Sequence, residues 1–195
     1  MLMLSEIPRP AVSVEPVTEP VTIHEAKRHL NLAVADTAHD VYILSKIGSA
    51  REQFEHDTGM HFINRSMTLK LEYLCELQFP HTPVGSITSI TYFDSGNSSQ
   101  TLSSSVYTLD TARSQLRLGY LQVWPTTSDR YDAVTITYVL GSHTDSTTVP
   151  SYAKSAMLLL IANEFEQREM MGPGYKQDQR AYERLVAKFM RSTYP

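Results

Sequence analysis

The stretch ILSKIGSAREQFEHDTGMHFINRSMTLKLEY, residues 43–73, changes its hydrophobic period from that of a helix to that of a strand. Its first half has apolar residues at spacings of four, three and four, one stripe of an α-helix: Ile43, Ile47, Ala50 and Phe54. This helix is expected to begin at Asp36 or Thr37 and to end at Thr58-Gly59, where glycine supplies a left-handed cap. In the second half every second residue is apolar, which predicts a half-buried strand: Met67, Leu69, Leu71 and Tyr73.

The residues before this stretch predict another helix and an extended arm. Thr22 and Glu25 form a capping box, in which each side chain satisfies a backbone amide of the first turn, so a helix should run from Thr22 to about Leu30. Residues 1–20 contain four prolines and little apolar periodicity. Proline has no amide proton, and it restricts the residue before it, so these residues should be extended.

The residues after this stretch predict four further strands and then two helices. Residues 84–93, 106–110, 115–118 and 133–140 are the strand candidates, joined by short polar turns. A helix should follow Pro150 to residue 171 and be buried on most sides, and Gly172-Pro173-Gly174 separates it from a last helix at 175–195.

The predicted fold class is therefore α+β: a small bundle of two N-terminal and two C-terminal helices with a β-rich antiparallel insertion of about five strands. We expect a single domain over residues 1–195. Its predicted segments are an arm (1–20), helices (21–60), the insertion (61–142), a core helix (150–171) and a basic helix (175–195).

Composition narrows the class of protein. The net charge is −4, but residues 175–195 carry +3, which leaves −7 on the rest of the chain. Cys75 is the single cysteine, so an internal disulfide framework is excluded. The sequence has no apolar run long enough for a signal peptide or a membrane span, which predicts a soluble protein made in the cytoplasm and not bound to a membrane.

The last predicted helix and one tryptophan are the candidate interaction sites. The helix has an apolar stripe flanked by basic residues, which could dock on another protein, pack on its own domain, or contact anionic lipid or DNA phosphates. Trp124 could be an interface residue or could pack over a sheet edge. The candidate docking residues are Tyr182, Leu185, Val186 and Phe189, with Arg180, Arg184, Lys188 and Arg191 beside them.

No pattern in the sequence predicts catalysis, a metal or a cofactor. His24 and His29 are five residues apart, which turns them about 140° from each other on a helix, whereas a helical zinc site needs a spacing of four. His56 and His61 could converge beyond Gly59, but the sequence offers no third ligand. The chain contains no nucleophile elbow, phosphate-binding glycine loop or dinucleotide fingerprint.

Several short fragments between residues 20 and 170, taken in order, together resemble one protein family. Its members are the head–tail connector proteins of bacteriophages, also called adaptor or head-completion proteins. The arm before residue 20 and the C-terminal segment depart from the family's pattern. The fragments are Val21-Thr22, Glu25-Ala26-Lys27, His29-Leu30, Ala50-Arg51-Glu52, Glu55, Thr58-Gly59, Phe79-Pro80, Pro83-Val84, Ser86-Ile87, Ile90-Thr91-Tyr92, Tyr107, Leu109-Asp110, Trp124-Pro125, Ala133-Val134, Tyr138 and Arg168-Glu169.

This resemblance implies a structural protein of the virion neck without catalytic residues. Members of the family form rings, generally dodecameric, that bind the portal protein on one side and a stopper or tail-completion protein on the other. Double-stranded DNA passes through the ring without sequence-specific binding. The alternatives are another neck or tail-completion subunit of similar fold, a nucleic-acid-binding module that uses the basic helix, and a hydrolase that uses the histidines and scattered acids.

Overall fold

The computed structural model describes residues 10–166 and 180–187 of the chain. Contacts divide the chain into two units, each described here by itself. Unit 1 comprises residues 1–17 and 64–142, and unit 2 comprises residues 18–63 and 143–195. The predicted order of helices, strands and helices is confirmed, and the fold is α+β. The expectation of a single domain stays a prediction.

Unit 1 is built from two antiparallel sheets. The larger sheet has five strands in the order β1-β2-β8-β4-β5, and the smaller has the order β3-β7-β6. The five strands predicted from the sequence are present as β2, β4, β6, β7 and β8. Three further short strands, β1, β3 and β5, were not predicted. The bounds are β1 (Ala11–Val14), β2 (Arg65–Leu71), β3 (Leu77–Gln78), β4 (Val84–Phe93), β5 (Ser99–Thr101), β6 (Tyr107–Asp110), β7 (Gln115–Leu118) and β8 (Val134–Leu140).

The alternating residues of the predicted strands form the core of unit 1. Leu69 of β2 and Ile90 of β4 lie opposite Ile136 of the central strand β8, and all three are fully buried. The next inward residue of β8, Tyr138, packs against Phe79 with ring centroids 4.6 Å apart. Residues of one sheet face thus become neighbours across three strands, because side chains alternate with a period of two.

The predicted arm supplies an edge strand. Ala11 lies opposite Thr68 in the antiparallel pairing of β1 with β2. Every side chain of β1 is exposed, so this strand is held by its backbone ladder and not by burial. The extended conformation was predicted. Its pairing with β2 was not, because that partner lies more than fifty residues away in the sequence.

Unit 2 is helical. Its elements are α1 (Ile23–His29), α2 (Asp40–Thr58), a 3₁₀ turn (Ser146–Thr148), α3 (Ser151–Glu166) and a terminal segment, residues 180–187, that is also helical. The capping box is confirmed: the Glu25 amide donates to Thr22 Oγ1 at 3.2 Å, and the Thr22 amide donates to Glu25 Oε2 at 2.8 Å. Glu25 also accepts from Lys154 Nζ at 2.7 Å, which ties α1 to α3.

The end of α2 agrees with the sequence prediction and its start does not. Gly59 follows the helix with φ +67°, the predicted left-handed cap. The predicted start at Asp36 or Thr37 is wrong, because the helix begins at Asp40. Asp36 Oδ1 instead accepts a hydrogen bond from the Ala38 amide at 2.9 Å, a local turn that competes with helix formation.

The helices of unit 2 pack around the predicted stripe of α2. That stripe is buried together with four residues of α3, while Leu158 and Leu160 are only half-buried. The core helix is therefore less enclosed than expected. None of the helices within residues 10–166 and 180–187 is long and apolar enough to cross a bilayer. The buried residues are Ile43, Ile47, Ala50 and Phe54 of α2 and Ala153, Ala156, Met157 and Ile161 of α3.

Candidate interaction surfaces

The connection between β7 and β8 in unit 1 is anchored at both ends. The Gly119 amide donates to the Val106 carbonyl at 2.8 Å, and the Ser128 amide donates to the Phe93 carbonyl at the same distance. The guanidinium of Arg130 lies over the Phe93 ring, 4.0 Å from its centroid, where the electron-rich face attracts a cation. This connection is thus a defined structure on which side chains can be displayed.

Residues 119–123, the apolar turn, display three large side chains to solvent. Tyr120 is 90% exposed, Leu121 84% and Val123 82%. No charged residue occurs between Leu118 and Ser128. Consecutive large apolar side chains in water are unfavourable in an isolated chain, and such patches mark interaction sites.

The backbone of the apolar turn is itself strained. Leu121 has φ +55°, in the left-handed region that costs a residue with a side chain about 1 kcal/mol or more. At Gly119 a Cβ would lie only 3.0 Å from the carbonyl oxygen of Ser105, so a side chain there would clash with backbone. The Gln122 amide closes the turn by donating to the Gly119 carbonyl at 3.1 Å.

Trp124, the interface candidate from the sequence, lies beside this turn but is half-buried and packs against the core of unit 1. This packing agrees with the alternative interpretation, and a role of Trp124 in an interface stays a prediction. The exposed residues are its neighbours, which the sequence analysis missed. The signal that could have found them is the uncharged, aromatic-containing run between Leu118 and Ser128.

A second apolar surface lies in unit 2, on residues 33–44, here called the loop–helix face. Val34 is 43% exposed, Val41 85% and Leu44 52%. The alanines at 33, 35 and 38 are exposed between them. Gly48 continues the α2 side of this face, and nothing lies within 4 Å of the place where its Cβ would be. The face therefore combines exposed valine and leucine side chains with exposed alanines, and it has open space beside Gly48.

A buried lysine fixes the loop–helix face. Lys27 is 2% exposed, and its Nζ donates to the carbonyls of Val34 at 3.1 Å and Asp36 at 2.6 Å. The same ammonium lies 2.5 Å from Asp40 Oδ1, at the first turn of α2. A buried ammonium needs such partners, because transfer of an unpaired charge from water costs several kcal/mol.

The terminal segment turns part of its predicted docking stripe inward. Tyr182 and Val186 are buried in the core of unit 2, and Leu185 is half-buried against it. Arg180 and Arg184 are exposed. Phe189, Lys188 and Arg191 lie outside the described residues. Docking through these eight residues stays a prediction, and it requires either the exposed basic face or release of the apolar side chains from unit 2.

One hydrogen bond attaches the terminal segment to α2. Tyr182 Oη donates to Asp57 Oδ2 at 2.8 Å. Partial burial opposes ionisation of Asp57, but hydrogen bonds from Gln53 and Tyr182 outweigh it and hold the pKa of this carboxyl below its usual range. Burial, and then the adjacent Asp57 carboxylate, raise the pKa of Tyr182. The carboxylate is thus charged at neutral pH, and the phenol is the donor.

The histidines and acids make structural contacts. His61 Nδ1 lies 3.3 Å from Glu55 Oε2, and the same carboxylate oxygen accepts from Arg51 at 3.2 Å. Arg51 also binds Glu19 at 2.8 Å, which fastens the residues before α1 to α2. His56 lies 3.4 Å from Asp57 instead. Within residues 10–166 and 180–187, no three histidine, cysteine or acidic residues converge in a way that could hold a metal ion.

A shallow cavity of about 500 Å³ in unit 1 has Tyr73, Arg130 and Tyr131 on its walls. The guanidinium of Arg130 is occupied, since it binds Asp132 at 2.8 Å and lies over the Phe93 ring.

Cys75 is half-buried, and burial raises the pKa of its thiol, which disfavours the reactive thiolate.

Comparison with known proteins gives matches of structure. No family model and no curated protein matches the sequence. A chain from the virion of the native gene transfer agent (GTA) particle has a TM-score of 0.74 and 18% identity, and the match covers 92% of this chain and 94% of that one. A chain from the neck of the empty GTA particle, computed with C6 symmetry, has a TM-score of 0.75 and 18% identity, with 93% and 94% covered. A chain from the neck of the native particle, computed with C12 symmetry, has a TM-score of 0.61 and 20% identity, with 90% and 93% covered.

These likenesses extend over nearly the whole length of both chains. At such identities they show a shared fold. The resemblance to head–tail connector proteins is therefore confirmed at the level of the fold.

Proposed function

We propose that this protein is a structural subunit of the neck of a tailed phage-like particle, where twelve copies form a ring between the portal and the stopper or tail. The observation that carries the proposal is the likeness, over at least 90% of this chain and of each compared chain, to chains of GTA virions and necks. Two of those structures were computed with C6 and C12 symmetry, which accords with a twelve-membered ring.

The chemistry of the described surfaces supports a role in assembly and not in catalysis. Unit 1 and unit 2 each expose apolar side chains on a defined backbone, held by Gly119 in one case and by Lys27 in the other. Several acidic and histidine side chains of the described residues are used in capping and ion pairs, among them Glu25, Glu55 and His61. Such a subunit makes heterologous contacts, in which one surface of a copy meets a different surface of the next copy and the rotation closes a ring.

The charge distribution supports passage of DNA without retention. The chain without residues 175–195 carries −7, and a negatively charged body repels DNA phosphates within about one Debye length. A body that does not attract DNA suits a channel through which a genome must move. Duplex DNA binding that falls steeply with salt concentration would instead favour the nucleic-acid-binding alternative.

We further propose that residues 175–195 attach the ring to the portal. Deletion of these residues should abolish co-sedimentation of the chain with portal rings. The deletion also removes Tyr182 and Val186 from the core of unit 2, so a second variant is needed. Arg180→Glu with Arg184→Glu reverses two exposed charges without removing buried side chains, and Arg113→Glu, on the exposed Arg113 of unit 1, is the matched control.

The outcomes separate attachment from folding. Attachment through the basic face predicts weaker portal binding for the double reversal and normal binding for the control. If the deletion variant binds the portal normally, residues 175–195 do not attach the ring to the portal.

The neck location itself is tested by a tagged full-length chain in assembled particles. Gold label at the head–tail junction, with twelve copies per neck by native mass spectrometry, is the expected result. A label elsewhere on the particle, or a different copy number, would favour another neck or tail-completion subunit.

A further inference from the structure

We infer that the apolar turn of one copy docks on the loop–helix face of the adjacent copy, so that these two surfaces form the repeating contact of the ring. The inference rests on the proposed function for the existence of the ring. It adds which surfaces meet, and that the occupant of each is a second copy of this chain.

The apolar turn is prepared for contact before binding. Tyr120, Leu121 and Val123 are each more than four-fifths exposed, and the anchored ends of the connection fix where they point. Leucine is disfavoured at a residue with φ +55°, and the Leu121 side chain is 84% exposed, so burial does not compensate for the strain. A rigid backbone loses little entropy on binding, which favours affinity.

The loop–helix face has matching properties. It presents Val34, Val41 and Leu44 among alanines, with space beside Gly48 for side chains of another molecule. Small residues let a partner approach closely, and the lysine beneath the loop keeps it in one shape. Both surfaces expose apolar side chains, and the space beside Gly48 can take a side chain of the turn.

The charges beside the two surfaces are complementary as well. Arg117 is exposed two residues before the apolar turn, and within the described residues its guanidinium is bonded to the neutral Gln115 at 2.8 Å. Asp36 is exposed within the loop–helix face, and no cationic side chain pairs with its carboxylate among the described residues. A cation on one side and an anion on the other, neither paired with an opposite charge within residues 10–166 and 180–187, would fix the register of the contact.

A second copy is the occupant that uses both surfaces at once. In a closed ring each subunit contacts one neighbour through one surface and the other neighbour through a different surface. Every apolar turn and every loop–helix face is then covered. Two separate partners would be needed to cover them otherwise. The chain thus contains both halves of one heterologous interface.

The first test measures self-association of the full chain by sedimentation equilibrium. Leu121→Ser and Val41→Ser should each weaken association by about tenfold or more, as truncation of central interface residues does. Val17→Ser is the control, since Val17 is 94% exposed and lies in neither surface. A chain that is monomeric up to millimolar concentration, or Ser variants that associate like the control, would overturn the inference.

The second test asks whether Arg117 and Asp36 meet. Asp36→Asn keeps the oxygen that accepts from the Ala38 amide, and Arg117→Gln removes the charge of the turn. If the two are paired, each single variant weakens association about two- to fivefold and the double variant is no weaker than either single one. Losses that multiply in the double variant would overturn the pairing.

The third test locates the contact directly. A photo-crosslinking amino acid at position 120 should link to residues 31–48 of a second copy, identified by isotope-mixed peptides. A link to another region, or within the same copy, contradicts the inference. Portal co-sedimentation and particle labelling are measured on the chain with an unaltered turn, so the neck assignment can stand while this interface fails, and the crosslink can form while the neck assignment fails.

Discussion

The two units of the chain each have an apolar core, but different interactions hold their elements together. In unit 1 the core residues sit on strands whose backbones are paired over long sequence distances, with Leu69 and Ile90 on either side of Ile136. In unit 2 the helices are fastened to one another by polar side chains: Lys154 to Glu25, Lys27 to Asp40, Arg51 to Glu19, and Tyr182 to Asp57. Unit 1 should therefore respond mainly to changes of apolar volume, and unit 2 also to changes of charge and pH.

The largest expected effect tests the sheet core. Ile136→Ala removes a fully buried side chain from the central strand and should lower the free energy of unfolding by about 2–5 kcal/mol, measured by urea denaturation. Val123→Ala is the control, because that side chain is 82% exposed and its loss should change stability by less than about 0.5 kcal/mol. Equal effects of the two would mean that the alternation of β8 does not define the core.

A smaller effect is expected when a polar fastening of unit 2 is removed. Lys27→Met keeps most of the side-chain volume but leaves the Val34 and Asp36 carbonyls and the Asp40 carboxylate without the ammonium. We expect a loss of about 2 kcal/mol, since Asp40 is partly exposed and can be rehydrated.

Lys46→Met is the matched control for this prediction. Lys46 pairs with Glu164 at 3.0 Å, but its side chain is 25% exposed whereas that of Lys27 is 3% exposed, so its loss should cost under about 1 kcal/mol. Thermal unfolding of both variants, with hydrogen exchange in the first turn of α2, measures the difference. If the Lys27→Met variant is as stable as the Lys46→Met variant, the buried ammonium does not hold the loop.

The Tyr182–Asp57 hydrogen bond should make the stability of unit 2 depend on pH. Because the pKa of Asp57 is lowered in the folded protein, its contribution is present above the ordinary value of about 3.9 and is lost as pH falls through the folded pKa. Tyr182→Phe removes one of the bonds to the carboxylate and should cost about 1 kcal/mol at pH 7. The cost should shrink as the pH is lowered below about 4.

Thermal unfolding midpoints between pH 7 and pH 3 test this dependence. Tyr131→Phe is the control, since that ring is 79% exposed, and it should show no such trend. If Tyr182→Phe lowers the unfolding midpoint by the same amount at pH 7 and at pH 3, the hydroxyl does not act through the ionised Asp57.

The sequence predicted those elements whose pattern is set within the element itself. The stripe of α2, the alternation of β2 from Met67 to Leu71 and the glycine that ends α2 each depend on residues a few positions apart, and each is confirmed. Tyr73, the last residue of the predicted alternation, lies beyond the end of β2 and is 50% exposed. β1 is four residues long and fully exposed, so no local period marks it, and its pairing with β2 depends on residues far away. Burial of Lys27 was equally hidden, because its partners lie seven to thirteen residues on, in a loop.

The candidate sites show the same limit. An apolar stripe on a helix has the same sequence whether it packs within its own unit or on a partner, so Tyr182 and Val186 gave no sign that they are buried. The apolar turn has no period at all, and its exposure follows from a backbone that Gly119 and Leu121 shape. Sequence reasoning found the tryptophan beside the turn because tryptophan is common in interfaces, and it missed the residues that are actually exposed.

The smallest expected effect on stability separates the two explanations for Leu121. Glycine at φ +55° relieves the strain of the leucine but increases the freedom of the unfolded chain, so Leu121→Gly should change the free energy of unfolding by about 0.5 kcal/mol or less. If leucine is present for contact with another copy, the same variant should still weaken self-association by about tenfold. Leu121→Ala should associate as weakly as Leu121→Gly without relieving the strain, because alanine also has a Cβ. Urea denaturation and sedimentation equilibrium on the three proteins distinguish the two explanations. A large loss of stability in the glycine variant would mean that the leucine supports the fold of unit 1. Unchanged stability with weak association would mean that contact with another copy is the reason for an apolar side chain at a position where the backbone disfavours it.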